Sequence, residues 1–228
     1  MTVEIELRAA RVRYGPLEAL HGVDLAVPAG AVTVLLGRNG SGRTTALRAL
    51  AGTVPLSAGR VVWRGADVTG LHAHERARRG LCFVPDLRAV YDTLTVAENL
   101  EIAAGGGQFE RALDGYPALR PLLDRRAGTL SGGEQRMLAV SRSLLSSARV
   151  VLVDEPTQGM SPAVATRTYE LLRTLDAAVV LAEQRLPSGL GAAASTTVLV
   201  HELRRGSVVF SGEPGERGPA RSEPDGAT

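Results

Sequence analysis

The chain has 228 residues and a formal net charge of +2, and it contains no lysine, so all 26 basic residues are arginine. That length suits one large α/β domain or a core with inserted subdomains, and the near balance of charge gives little reason to invoke nucleic acid. A single cysteine forms no internal disulfide and fits a reducing compartment, and no apolar run approaches the roughly 18–20 residues of a membrane span.

The N-terminal run Met1-Thr2-Val3-Glu4-Ile5-Glu6-Leu7 alternates as a strand does and does not read as a signal peptide. A soluble chain is expected, and any membrane role must come through a partner. Residues 1 to about 31 hold short alternating segments with turns at Tyr14-Gly15-Pro16 and Pro28-Ala29-Gly30, which predict an antiparallel sheet of edge type. The apolar run Val32-Thr33-Val34-Leu35-Leu36 then enters Gly37-Arg38-Asn39-Gly40-Ser41-Gly42-Arg43-Thr44-Thr45, and a helix leaves it at Thr44-Thr45-Ala46-Leu47. A turn of this kind aims backbone N–H groups at phosphates with a helix N-terminus behind them. It reads as a P-loop with one departure, because Arg43 stands where the pattern requires lysine. The lysine-free composition leaves two origins for Arg43 open: replacement under a codon bias towards G and C, or selection for a site that holds ATP without turning it over.

Val61-Val62-Trp63 and Cys82-Phe83-Val84 predict further strands, with Trp63 as packing and Cys82 as a small buried hydrophobe. Arg76, Arg78 and Arg79 predict a charged, solvated helical face, and His21, His72, His74 and His201 show no metal-ligand spacing. From about 87 to 130 the character changes. Thr95 to Ala104 is a helical pattern, Gly105-Gly106-Gly107 breaks it, and Phe109 to Leu123 is broken-helical around Pro117 and Pro121, as an inserted helical subdomain would be. Ser131 to Ser147 predicts a helix, and the continuous Val150-Val151-Leu152-Val153 predicts a strand buried on both faces. A helix around Val164 to Leu175, a strand at Val179-Val180-Leu181 and a hairpin about Arg205-Gly206 follow. Residues 213–228, rich in Gly, Pro, Glu and Arg, predict a disordered tail.

Two further segments carry chemistry. Val153-Asp154-Glu155-Pro156 ends the buried run. An Asp there, beside a P-loop, can hold Mg²⁺, and the Glu after it can polarise an attacking water. Leu130-Ser131-Gly132-Gly133-Glu134-Gln135-Arg136 contains a capping box, Ser131 to Glu134, but a cap does not need two glycines. Consecutive glycines let an anion approach a helix N-terminus, so this segment predicts a second phosphate contact, made to a nucleotide held by another subunit.

Taken in order, the P-loop, Leu-Ser-Gly-Gly-Glu-Gln and Val-Asp-Glu-Pro resemble the ATP-binding cassette (ABC) ATPase family over about residues 3–212. The resemblance implies an α/β P-loop core, an antiparallel β subdomain, an α-helical subdomain and a head-to-tail dimer with ATP at the interface. It implies that Tyr14 stacks on adenine, that Gly37 to Thr45 cradle phosphates, and that Thr44 and Asp154 serve Mg²⁺. Glu155 becomes the catalytic carboxylate, Ser131, Gly132 and Gly133 contact the partner's γ-phosphate, and Thr157 to Pro162 cross the interface.

Asp86 sits where most members carry Gln, and Gln184 where most carry the switch His. With Leu94-Thr95-Val96-x-Glu98-Asn99-Leu100, Glu183-Gln184, the Tyr14-Gly15…Ala19-Leu20-His21-Gly22-Val23 opening and Gly159-Met160-Ser161-Pro162, they resemble the ATPase subunits of branched-chain amino-acid importers. Leu36-Gly37-Arg38-Asn39-Gly40 and Thr157-Gln158-Gly159 lean towards the related urea importers. The acid at position 86 is usually Glu, one methylene longer, so a metal role for Asp86 is an expectation that turns on its reach. The resemblance also implies membrane permease subunits, a second ATPase subunit, an extracytoplasmic solute-binding protein and a peripheral location on the cytoplasmic face. A weakly hydrolysing regulatory protein and a soluble non-transport ABC ATPase are the rival classes. Against the second stand the single cassette, the lack of a long heptad insertion and the lack of a basic tail.

Overall fold

A computed structural model describes residues 2–87, 89–187, 190 and 197–217. The alternating N-terminal residues form two long strands rather than several short ones, β1 (Val3–Tyr14) and β2 (Leu17–Pro28), joined at Gly15. With β4 (Ala58–Trp63) and β5 (Ala66–Asp67) they make a four-stranded antiparallel sheet of order β2-β1-β4-β5. One buried edge of that sheet is fixed by Trp63, whose indole donates to Glu4 at 3.1 Å.

The second sheet has the order β10-β9-β3-β8-β7-β6, from β3 (Val32–Leu36), β6 (Leu81–Val84), β7 (Val150–Asp154), β8 (Ala178–Glu183), β9 (Val198–Arg204) and β10 (Ser207–Gly212). All neighbours are parallel except the β9–β10 hairpin. Both faces are covered, which is why β3 and β7 read as unbroken apolar runs. Leu35, Leu152 and Val180 pack with α1 (Arg43–Ala51) and the small sheet. Val34, Val153 and Leu181 pack with α5 (Gly132–Leu145) and α6 (Pro162–Arg173). Helix α6 begins two residues before its first predicted position, because Ser161 caps it and Pro162 fills N1.

Register places the functional segments together. Leu36 lies opposite Glu183, Asp154 opposite Ala182 and Val84 opposite Val153. The P-loop, Asp154-Glu155, Gln184 and Asp86 therefore all leave the same C-terminal edge of the sheet, where ligands of open parallel sheets bind.

The helical insertion contains α3 (Val96–Ala103), α4 (Glu110–Gly115) and 3-10 turns at Pro117–Leu122 and Ala127–Thr129. Buried Asn99 ties it to the preceding loop, accepting from the Tyr91 N–H and donating to the Tyr91 and Thr95 carbonyls.

Two expectations change. Arg76, on α2 (Ala73–Arg78), is 2% exposed rather than solvated, and it donates to the carbonyls of Ala49, Leu50, Val68, Thr69 and Leu71. Residues 213–217 of the predicted tail are ordered by a 3-10 turn at Pro214–Glu216 and by Arg217, which pairs with Glu202 at 2.9 Å. An ion pair and a proline supply what the apolar pattern lacks. Residues 218–228 lie outside the described residues.

Candidate nucleotide site

The P-loop turns into α1 through Gly42, whose φ of +106° is a left-handed conformation open to glycine and strained for other residues. No side chain caps this helix start and no acidic residue lies in its first turn, so its N–H groups face the cleft unpaired by the cap that helices usually carry. That is the form an anion site takes. The β9–β10 turn braces the loop from behind: the Gly206 N–H donates to the Ser41 carbonyl and the Gly206 carbonyl accepts from the His21 N–H, both at 2.9 Å.

Tyr14, Arg38 to Thr45, Asp86, Glu155, Gln158, Gln184 and Arg205 line one cleft of about 690 Å³. Gly37 enters this loop from β3, and Tyr14 leaves 42% of its surface open at the cleft's end. Asp154, at the end of β7, is 1% exposed, and neither carboxylate oxygen has a hydrogen-bond partner among the described residues. Burial holds its carboxyl above the ordinary range, the Thr44 hydroxyl works against that, and Asp86 reinforces it. A buried carboxylate with free lone pairs beside a threonine fits Mg²⁺, which takes one or two carboxylates plus phosphate and water. No cluster of three or more acidic, His or Cys side chains exists among the described residues, so phosphate oxygens would complete the sphere. Asp86 also faces the cleft; its buried Oδ1 lies 3.7 Å from Arg48 Nη2 and has no hydrogen bond among the described residues.

Glu155 adopts φ +48°, held by its N–H to the Ala182 carbonyl at 3.0 Å. Such a conformation costs about 1–3 kcal/mol and concentrates at functional sites. Its Oε1 accepts from Arg43 Nη2 and from Gln184 Nε2, each at 3.1 Å. Arg43 is 5% exposed and its Nη1 has no partner among the described residues. The guanidinium thus has one arm on the carboxylate and one arm free.

Ser131, Gly132 and Gly133 do not line this cleft. Ser131 and Glu134 form the reciprocal capping box at the start of α5. Gly133 lies so near the Gly159 carbonyl that a Cβ would come within 2.8 Å of it, so this glycine has a packing reason of its own. Gly132 faces open space, and its lack of a side chain serves nothing among the described residues.

Arg136, in the same motif, carries no role legible in the sequence; it is 5% exposed and joins two sheet ends. Nη1 donates to the Pro85 carbonyl at 2.6 Å and Nη2 to the Asp154 carbonyl. Arg205 is the other unforeseen residue; it reaches the cleft only because its hairpin folds back on the P-loop.

A family model described as ABC transporter matches residues 20–158. The relative "Probable branched-chain amino acid transport ATP-binding protein LivF" of Archaeoglobus fulgidus is 35% identical over 214 residues, covering 89% of each chain. The "High-affinity branched-chain amino acid transport ATP-binding protein BraG" of Pseudomonas aeruginosa is 35% identical over 198 residues, covering 82% of this chain and 84% of its own. A solved "nucleotide-free ATP-binding cassette from an ABC transporter" shares the fold at TM-score 0.78 and 24% identity, covering 92% of this chain and 91% of that one. The chain therefore belongs to the ABC transporter family, with the fold of that family's ATP-binding cassette.

Proposed function

We propose that the chain binds and hydrolyses ATP as a subunit of an importer for branched-chain amino acids. The observation that carries the hydrolytic part is the meeting of an uncapped helix start and a strained Glu155 on one cleft, with the buried Asp154, which lacks a hydrogen bond among the described residues, next to Glu155 in the chain. Support for the solute is the likeness to the LivF and BraG proteins over most of both lengths.

In this reading residues 1–212 form one nucleotide-binding unit with the helical insertion at about 87–130. Tyr14 stacks on adenine, Gly37 to Thr45 hold the phosphates, and Thr44, Asp154 and Asp86 hold Mg²⁺, which neutralises charge on the phosphate oxygens. Glu155 draws a proton from the attacking water while Gln184 orients its carboxylate. Ser131 and Gly132 serve ATP on a second ATPase subunit, which suits their distance from their own cleft and the open space over Gly132. Permease subunits hold the pair at the cytoplasmic face, an extracytoplasmic solute-binding protein delivers cargo, and no nucleic acid is involved. No helix among the described residues is long and apolar enough to cross a membrane.

The exposure of Leu87, Tyr91 and Ile102 supports a reading of the insertion as the docking surface for a permease helix. Co-purification with the permease, followed by cross-linking, should place contacts within about residues 87–126. Contacts confined to the β1-β2-β4-β5 sheet would remove the docking assignment.

The Arg43–Glu155 pair favours a second reading, a slow ATPase in which the phosphate ligand also restrains the base. Lysine is a compact point charge, whereas arginine is a planar fork that here engages the carboxylate. Arg43→Lys keeps the positive charge and should leave the Kd for ATP nearly unchanged. It should raise kcat about tenfold, or about 1.4 kcal/mol of transition-state stabilisation. An unchanged or lower kcat means the loop is fitted to arginine and removes the support for the slow reading. No turnover in the wild type with recovery in Arg43→Lys would place hydrolysis on a sister subunit.

A further inference from the structure

In the sequence Glu183 stands only as the neighbour of Gln184, yet it is the more unusual group. It ends β8 partly buried, without a salt bridge among the described residues. Burial pushes its carboxyl up to about 7; the Tyr169 hydrogen bond opposes this, Glu155 adds to it, and Arg43 and Arg136 oppose it. These four are the titratable or charged groups facing it from α6, the loop after β7, α1 and α5. Burying a carboxylate away from a counter-ion is costly, so its retention at a sheet end calls for a reason.

The hydrogen bonds supply one. The Tyr169 hydroxyl donates to Glu183 and lies 3.0 Å from the Thr157 hydroxyl. Thr157 follows Glu155 by two residues, Gln184 follows Glu183 directly, and Gln184 Nε2 returns to Glu155 at 3.1 Å. The result is a closed ring: Glu155-Pro156-Thr157, across to Tyr169, across to Glu183-Gln184, and back to Glu155. The ring borders a second cleft of about 520 Å³, lined by Glu155, Thr157, Tyr169, Glu183, Gln184 and Arg185 among others, which gives it access to solvent protons.

We propose that Glu183, Tyr169 and Thr157 are positioning residues that hold the Glu155 carboxylate and the Gln184 amide in register. The proposal rests on the reading of Glu155 as the base. With Glu183 ionised, the Tyr169 O–H must donate to it and the Thr157 O–H must donate to Tyr169, so the ring has one direction. A proton on Glu183 makes it a competing donor and removes that constraint. Turnover should therefore rise with pH as Glu183 ionises near 7.

The test is steady-state ATP hydrolysis by the full chain assembled with its second ATPase subunit, with saturating magnesium, as a function of pH. Tyr169→Phe should lower kcat about tenfold with KM for ATP changed less than about twofold, the split expected when positioning rather than binding is lost. Glu183→Gln keeps an acceptor for Tyr169, so it should retain most of the alkaline kcat and lose the limb near 7, whereas Glu183→Ala should fall as Tyr169→Phe does. Thr157→Val reads the same ring from its other end should Tyr169→Phe fail to fold. With the wild type active, an unchanged kcat in the hydroxyl variants, a limb near 7 persisting in Glu183→Gln, or equal loss in Glu183→Gln and Glu183→Ala overturns the ring and leaves the ATPase reading standing. A wild type without hydrolysis overturns both.

Discussion

Glu155→Gln should abolish most ATP turnover, by about 10²–10⁴-fold, while leaving ATP affinity within a few-fold of the wild type. The amide keeps the size of the side chain and an oxygen able to accept from Arg43 Nη2, which holds it now at 3.1 Å. What it loses is the capacity to take a proton. The left-handed backbone at Glu155 belongs to the fold rather than to the carboxyl, because the N–H to the Ala182 carbonyl fixes it, so the variant should retain its geometry. Hydrolysis and ATP binding measured on the same preparation decide the matter, and an ATP-bound dimer should accumulate on size-exclusion chromatography. Turnover equal to wild type would take Glu155 out of the chemistry and leave the strain at its backbone without a catalytic reason.

What the sequence makes legible here is local. The apolar run of β7 and the glycines of the P-loop act through residues next to one another, and each forms close to where periodicity and turn chemistry put it. The common edge of the strands follows as well, since parallel strands separated by helices must send their C-terminal loops to one side. The missing parts are pairings between distant residues that no period encodes. Arg136 meets the Pro85 carbonyl across 51 positions, and Arg43 meets Glu155 across 112. Tyr169 reads as one partly buried position on an amphipathic helix, and only the fold shows its hydroxyl against Glu183. Gly133 shows the converse: a glycine assigned to an anion also has a neighbour in its own chain, the Gly159 carbonyl.

Arg76 is the sharpest case, because an arginine among exposed arginines carries no sign of burial in its identity. Arg78 and Arg79 on the same segment are exposed, as expected. Arg76 turns inward instead, and its guanidinium meets the carbonyls of Ala49 and Leu50 at the end of α1 at 2.8 and 2.7 Å, and that of Val68 at 2.9 Å. Burial lowers its pKa to about 10, with Asp67 opposing, so it is charged at neutral pH. A cation at a helix C-terminus offsets the negative end of the helix dipole, and this helix is the one that starts at the P-loop. Arg76→Met preserves much of the volume but leaves the Leu50, Thr69 and Leu71 carbonyls without the donor that the structure gives them. Unsatisfied buried carbonyls cost about 1–3 kcal/mol each before water enters, so a net loss of about 3–5 kcal/mol is expected. For a chain of this size that corresponds to a fall in Tm of about 10 °C. Arg78→Met and Arg79→Met should each change stability by less than about 0.5 kcal/mol, as exposed positions do. Thermal unfolding of the three variants beside the wild type measures the difference. Equal small shifts would mean that water replaces the guanidinium without cost, and that α1 holds the P-loop without this anchor.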